Sequence, residues 1–346
     1  MASIIHIIPN LSNGGAENIM VSVAEKLSKK SNQTIISLKG SHNDFLYDKA
    51  SEFSKVYLLK SDKNKVIQNL YKIEKGVIIC WLYEPIFWIY YIQILNGRLN
   101  HNIVWNIRNS SFRFFQFKQR FLLKLIGLAS QVLKPKIIYC GHASNNYHEQ
   151  NFFYKKNTKV IQNRLAKKPS WAISKNQFSN EYYLYVGRYH HIKGPDILIR
   201  VIKELVKKDH STIFSIVGSD WSPKKIPPKL RNNVRIIGNV KDVFPFYIKA
   251  KALILTSRSE GYPNVLVEAT AMGCPVYALD AGDSKNILQH NSYGFVFTKV
   301  KHLIKKMIAD HSIQFKNEHR YLIAEKGLKE FDFSKTVKEY EDFLGV

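Results

Sequence analysis

Short apolar runs alternate with helix-length segments in two series, and one polar stretch divides them. No other feature constrains the fold as much. Ser3 to Pro9 is an apolar, β-prone run. NLSNGG then supplies turn chemistry, and from Ala16 to Lys30 the residues Ile19, Met20, Val23, Ala24 and Leu27 recur at helical spacing. Further apolar runs follow at 33–38, 56–59, 77–81, 103–107 and 137–140, mostly separated by enough chain for a crossover helix. Strands alternating with helices predict a parallel α/β sheet. Between Asn163 and Glu181 the sequence RLAKKPSWAISKNQFSN loses periodicity, and YYLYVG begins a second series. That series places strands at 182–186, 212–217, 234–237, 252–255 and 275–279 and helices at 195–208, 242–250 and 263–272. A chain of 346 residues exceeds the usual single core, so two domains are expected, 1–164 and 178–332, joined by a linker at 165–177. Residues 333–346 read as a last amphipathic helix with Val337, Tyr340 and Leu344 on one face. The pattern leaves its partner open, and packing back on the first domain is one option.

Composition excludes little and emphasises one thing. A formal net charge of +25 implies a polyanionic surface, substrate or ligand. Cys80, Cys140 and Cys274 stand far apart with no CxxC pair, which suggests buried reduced thiols and neither a disulfide framework nor a zinc site. MASIIHIIPNLSNGG lacks the basic flank and the apolar run of a signal peptide, so a cytoplasmic location is expected. The most apolar stretch, WLYEPIFWIYYIQIL from Trp81, is interrupted by Glu84, Pro85 and Gln93 and falls short of the roughly 20 residues that cross a bilayer. It reads as a buried or interfacial segment.

Three stretches carry chemistry. Asn13-Gly14-Gly15-Ala16-Glu17 joins the first strand to the first helix, where glycines let a ligand approach the backbone and the helix start offers unpaired N–H groups to an anion. It is neither GxGxxG nor a Walker loop, and a plain turn explains it equally well. VGRYHHIKGPDILI sets Arg188 just beyond a strand and Lys193 just before a helix opened by Pro195. Ligands of such sheets bind beyond the carboxyl ends of strands, and a forked guanidinium with a mobile ammonium suits a diphosphate. In TSRSEGYPNVLVEATAMGCPV, Glu260 ends a loop, Pro263 suits a first helical turn, and Glu268 falls in the helix, with seven residues between the two carboxylates. Free N–H groups of Asn264 and Val265 at that helix start can hold phosphate oxygens, and an ionised Glu268 can accept hydrogen bonds from a vicinal diol such as ribose. In isolation, either Glu reads as a surface residue matched to a helix dipole.

Taken together these motifs resemble the family-4 retaining glycosyltransferases of the GT-B fold. The resemblance runs through GGAE at Gly14, VGR and KG at Arg188 and Lys193, GNVKDV at Gly238, EGYPNVLVE with EATAMGCPV, and DAGD at Asp280. It covers most of the chain and is more specific in the second half. It implies two Rossmann-like domains facing a central cleft and a nucleotide-diphosphate sugar as donor. Arg188 and Lys193 would neutralise the leaving diphosphate, Glu268 would bind the ribose, and Glu260 would approach the transferred sugar. Gly15, Gly238 and Val240 fall on donor-binding segments. Transfer would proceed on the front face through an oxocarbenium-like state, the leaving diphosphate helping to take the acceptor proton. Positioning and charge stabilisation would then carry catalysis. With no DxD pair near the site, metal independence and no cofactor are expected.

Two departures stand out. The family often places a His after the strand at 103–107, where WNIRNSS here aligns Asn109, which can bond a sugar hydroxyl but cannot act as a base. DAGDSKNIL lacks the Glu of the common GGxPE pattern, although Asp283 offers a carboxylate as a sugar contact. His6, His142 and His148 read as structural, and the His190–His191 pair has no spaced partner for a metal.

From Phe112 to Lys136 the residues Arg113, Lys118, Arg120, Lys124, Lys134 and Lys136 alternate with Phe and Leu, and no acid intervenes. Such a segment can lie on an anionic membrane, each cation contributing about 1 kcal/mol near the surface, or can be a crossover helix with a solvated basic face. No nucleic-acid motif accompanies it. Combined with the resemblance, it suggests a peripheral enzyme on the cytoplasmic face of the membrane. There it would transfer a hexose, with UDP as the expected carrier, to a lipid-linked saccharide in O-antigen, lipopolysaccharide or capsule assembly. The competing readings are a nucleotide-sugar 2-epimerase on the same fold, for which first-domain acid and base residues are not found, and a catalytically silent nucleotide-sugar-binding protein.

Overall fold

The computed structural model describes residues 3–12, 14–72, 76–95, 102–110 and 117–346, with the side chains at 71, 72 and 117–119 outside the description. The chain forms two compact units, one made of 1–166 together with 333–346 and the other of 167–332.

The first unit carries a parallel sheet of seven strands: β1 (Ser3–Ile8), β2 (Asn32–Ser37), β3 (Lys55–Leu58), β4 (Val77–Trp81), β5 (Ile103–Ile107), β6 (Lys136–Tyr139) and β7 (Thr158–Val160). They run in the order β3-β2-β1-β4-β5-β6-β7. The chain winds outward from β1 through β2 to β3, then returns to place β4 on the other side of β1. Because helices cover both faces, inner strands such as β5, IVWNI, are buried at every residue, as a parallel sheet requires. One face buries Ile4, Ile8, Met20, Val23, Leu27 and Trp81, and the other Ile5, Ile7, Ile78, Ile89, Trp105 and Phe153.

Helix Phe333–Leu344 completes the first of these faces with Phe333, Tyr340 and Leu344. Tyr340 stacks on Trp81 at 6.1 Å between ring centres and accepts a hydrogen bond at its hydroxyl from Asn106 Nδ2 at 2.7 Å. Arg164 bonds Glu339 at 2.9 Å, and Thr336 Oγ1 donates to the carbonyl of Gln162 at 2.9 Å.

The second unit repeats the winding with β8 (Tyr182–Val186), β9 (Phe214–Val217), β10 (Val234–Gly238), β11 (Ala250–Leu255), β12 (Val276–Leu279) and β13 (Gly294–Phe297), in the order β10-β9-β8-β11-β12-β13. Helix Pro195–Lys208 buries Leu198, Val201, Ile202 and Leu205, a 3–4 spacing that lays one apolar stripe on the sheet. In both units the winding reverses between two adjacent strands, β1 and β4 in one and β8 and β11 in the other. Loops leaving the carboxyl ends of such a pair diverge and leave room for a ligand.

Two strands lie outside the expected runs: β7 and β13, of three and four residues, both too short for a period to register. The segment from Trp81 forms helix Tyr83–Leu95, whose sequence is apolar all round; Ile86 and Ile89 are buried, whereas Tyr91, Ile94 and Leu95 are exposed.

Candidate functional site

In the second unit the loops after β8 and β11 are stitched together, and this brings Lys193 to Glu260. Gly194 makes the close approach possible. Its φ of +66° is a left-handed conformation that side chains disfavour, and a Cβ there would stand 2.2 Å from the carbonyl oxygen of Thr256. Thr256 Oγ1 donates to the carbonyls of Lys193 and Gly194 at 3.0 Å each, and the Tyr185 hydroxyl donates to Lys193 O at 3.2 Å. Arg258 reinforces the seam: its amide donates to Ile192 O at 2.7 Å and its guanidinium grips Asp196 at 2.9 and 2.5 Å. Lys193 Nζ consequently meets Glu260 Oε1 at 2.6 Å, and Ser257 Oγ donates to the same oxygen at 2.6 Å. The Glu260 side chain retains 11% of its exposure and Lys193 29%, so the pair is partly open to solvent.

Glu268 follows on helix Asn264–Ala271, which begins immediately after Pro263. The residue keeps some exposure, but its carboxyl is densely surrounded. Loss of hydration pushes its pKa up to about 7, opposed by a hydrogen bond of 2.7 Å from the Tyr247 hydroxyl to Oε2. Asn264 and Val265, half-buried, form the first turn. Gly282, at φ +59°, packs so tightly that a Cβ would lie 2.6 Å from Glu260 O, which seats the 280–283 turn against the Glu260 loop. Asp283 follows it at the start of helix Ser284–Leu288 and is buried. Gly238 ends β10 at φ +78° with open space where a Cβ would stand, its carbonyl accepting from Gly218 N at 2.8 Å; Val240 lies half-buried beyond it.

Arg188 is exposed and forms no ion pair among the described residues. Its loop is held by Tyr189 N, which donates to Ser219 O at 2.9 Å, and by Trp221 Nε1, which donates to Gly187 O at 2.9 Å. The guanidinium, with Lys193 and His191, adds to partial burial in holding the His190 pKa below the ordinary imidazole range.

Sequence reasoning missed Ser257 and Arg258, though both lie inside the informative stretch, and Tyr247 and Arg320, which lie outside it. Arg320 is fully buried, with Nε on Gly273 O at 3.0 Å, Nη1 on Ser179 O at 2.6 Å, and Nη2 on Tyr247 O and Ile248 O at 3.1 and 3.0 Å. Its targets are backbone carbonyls, which leave no mark in a sequence.

In the first unit, Gly15 opens helix Gly15–Leu27 and is exposed. Gly14 precedes it, and a Cβ there would meet the Glu17 carboxylate at 2.3 Å, so that carboxylate folds back over the helix start. Asn109 is half-buried just past β5, its carbonyl accepting from Ser144 Oγ at 2.6 Å. His6 is fully buried with its pKa lowered to about 4 by desolvation, partly offset by Gln33, so its ring is neutral. Trp81 Nε1 donates to its Nδ1 at 3.0 Å, which leaves Nε2 to donate to Gln33 Oε1 at 2.9 Å. His148 is likewise buried, neutral and paired, with Tyr83 OH at 2.5 Å and Ser144 O at 2.6 Å. Cys80, Cys140 and Cys274 are buried and unbridged.

The basic segment forms helix Phe117–Leu133. Arg120 and Lys124 are exposed. Arg113 and the side chain of Lys118 lie outside the described residues. Alongside the cations, Phe121, Leu122, Leu125, Leu128 and Val132 are exposed, Val132 by 82%. Among the described residues no helix is long and apolar enough to cross a membrane.

Residues 180–309 match the family model of glycosyl transferases group 1. An uncharacterised glycosyltransferase of Haemophilus influenzae is 24% identical over 355 residues, covering 96% of this chain and 97% of the relative. A Campylobacter jejuni enzyme named as an α-1,4-N-acetyl-D-galactosaminyltransferase acting on GalNAc-α-(1->4)-GalNAc-α-(1->3)-diNAcBac-PP-undecaprenol is 24% identical, covering 86% of this chain and 84% of the relative. Among solved structures, Anabaena HepE in complex with UDP and glucose superposes with a TM-score of 0.77 at 16% identity, covering 100% of both chains. The chain is a glycosyltransferase of the GT-B fold, and its likeness to glycosyl transferases group 1 lies in the second unit.

Proposed function

We propose that this glycosyltransferase is a retaining, metal-independent hexosyltransferase that takes its sugar from a UDP-sugar and delivers it to a lipid-linked saccharide at an anionic membrane surface. The observation that carries the donor half is the meeting of Lys193 and Glu260 at 2.6 Å at the β8–β11 switch point, with Glu268 on the helix that follows. An arriving diphosphate competes with Glu260 for the Lys193 ammonium and takes the unpaired Arg188 as a second cation. That exchange releases the Glu260 carboxylate beside the site of the transferred sugar, where negative charge stabilises an oxocarbenium-like state. Charge on the leaving diphosphate is stabilised by Arg188, Lys193 and the helix start at Asn264 and Val265. Glu268 takes the ribose, Gly15, Gly238 and Val240 flank the donor, and Asn109 and Asp283 contact sugar hydroxyls.

The acceptor half rests on the exposed apolar residues that share helix Phe117–Leu133 with Arg120 and Lys124. Apolar side chains inserted among headgroups, with cations above them, bind an anionic interface without spanning it. The Campylobacter relative, which acts on an undecaprenyl-diphosphate saccharide, supports an acceptor of that class, destined for a surface polysaccharide.

The test is incubation with a panel of radiolabelled nucleotide sugars and a membrane extract, with and without EDTA. Label passing into lipid with the donor's anomeric configuration, undiminished by EDTA, supports the reading. Epimerised free sugar, or no product from any donor, overturns it.

A further inference from the structure

We infer that Tyr247 is a positioning residue for Glu268, holding Oε2 of the carboxyl so that Oε1 is the oxygen offered to a ligand hydroxyl. The two oxygens are unequal in surroundings. Oε2 accepts from a fully buried phenol at 2.7 Å, whereas Oε1 makes no hydrogen bond among the described residues and is not sealed from solvent. A carboxyl free to rotate would present either oxygen. This one presents a fixed edge, so a ligand diol meets the lone pairs of Oε1 already oriented.

The brace beneath the pair points the same way. Tyr247 belongs to helix Phe244–Lys249 and Glu268 to helix Asn264–Ala271, two short helices that need something to fix their relation. Arg320 does so from helix Asn317–Glu330, with Nη2 on the carbonyls of Tyr247 and Ile248 and Nε on that of Gly273. Its positive charge stands at the carboxyl ends of both helices, where it is favourable. Gly273 is the residue this approach requires: its φ is +59°, and a Cβ would lie 2.0 Å from Arg320 O.

Tyr247 bonds the Glu268 carboxyl, Cys274 lies close enough to act electrostatically on Tyr247, Arg320 is committed to carbonyls, and Asp283 begins the neighbouring helix Ser284–Leu288. The phenol favours the ionised carboxylate.

The inference rests on the proposed ribose role of Glu268, and the test separates the two. Calorimetric titrations would use UDP or GDP, whichever the wild type binds more tightly, and its 2′-deoxy and 3′-deoxy counterparts, from pH 6 to 9. For Tyr247→Phe, ribonucleotide affinity should fall about tenfold. Preference over the deoxy forms should narrow, and the pH below which binding fades should move upward, with thermal unfolding near that of the wild type. A Tyr247→Phe protein with unaltered preference and pH profile, beside a Glu268→Gln protein that has lost its preference, overturns the inference alone. Should Glu268→Gln also keep its preference for ribose, the ribose reading falls and the inference with it.

Discussion

Glu268 is a carboxyl whose proton leaves near neutrality because burial raises its pKa to about 7 from an ordinary value of 4.5. If the ionised form takes the ribose hydroxyls, KM for the donor should rise as pH falls from 8 to 6 with kcat changing less, as initial-rate measurements across that range would reveal. The stability consequence has the opposite sense. Between about pH 4.5 and 7 the folded chain keeps a proton that the unfolded chain has released, so this group's contribution falls as pH rises. Glu268→Gln should therefore raise the thermal midpoint at pH 8 and leave it unaltered near pH 4. For Glu260, substitution by Ala should lower the transfer rate by about 10² or more with the fold retained, and an unaltered rate would remove it from the mechanism. Lys193 and Glu260 stood out through the KG and EGYPNVLVE motifs that carry the resemblance, since placement alone leaves each an ordinary surface charge. Tyr247 did not: its hydroxyl reaches Glu268 across 21 residues from a short helix, FPFYIK, that matches no motif.

At the scale of elements, the turn at Gly194 joins structure to site most directly. Gly194→Ala places a methyl on the Thr256 carbonyl and forces a left-handed backbone, which should destabilise the second unit by about 1–3 kcal/mol. It should also part Lys193 from Glu260, so that chemical denaturation and donor affinity weaken together. Helix Phe117–Leu133 offers an independent test. Replacing exposed Leu125 and Leu128 by Glu should abolish cosedimentation with anionic liposomes at low salt while donor hydrolysis in solution continues. Undiminished cosedimentation would sink the membrane reading. Most strands and helices were readable from periodicity, since buried parallel strands write short apolar runs between longer amphipathic ones. Helix Tyr83–Leu95 defeated that rule because it is apolar on every side, and β13, GFVF, because four half-buried residues carry no pattern of their own.

For the molecule as a whole, a net charge of +25 sets the ionic-strength dependence of any membrane binding, and raising salt from low to physiological levels should weaken liposome association steeply. The division into units has a different kind of consequence. Residues 167–332 are continuous, whereas the first unit needs 333–346 to cover Trp81 and to supply Tyr340, the 2.7 Å partner of Asn106. During translation, therefore, the second unit emerges whole and is free to fold, while the first, though made earlier, keeps one face of its core uncovered until helix Phe333–Leu344 leaves the ribosome. A message cut short after Asp332 would leave the second unit whole and the first without Phe333, Tyr340 and Leu344, so that the face of its core around Trp81 would stand open to water.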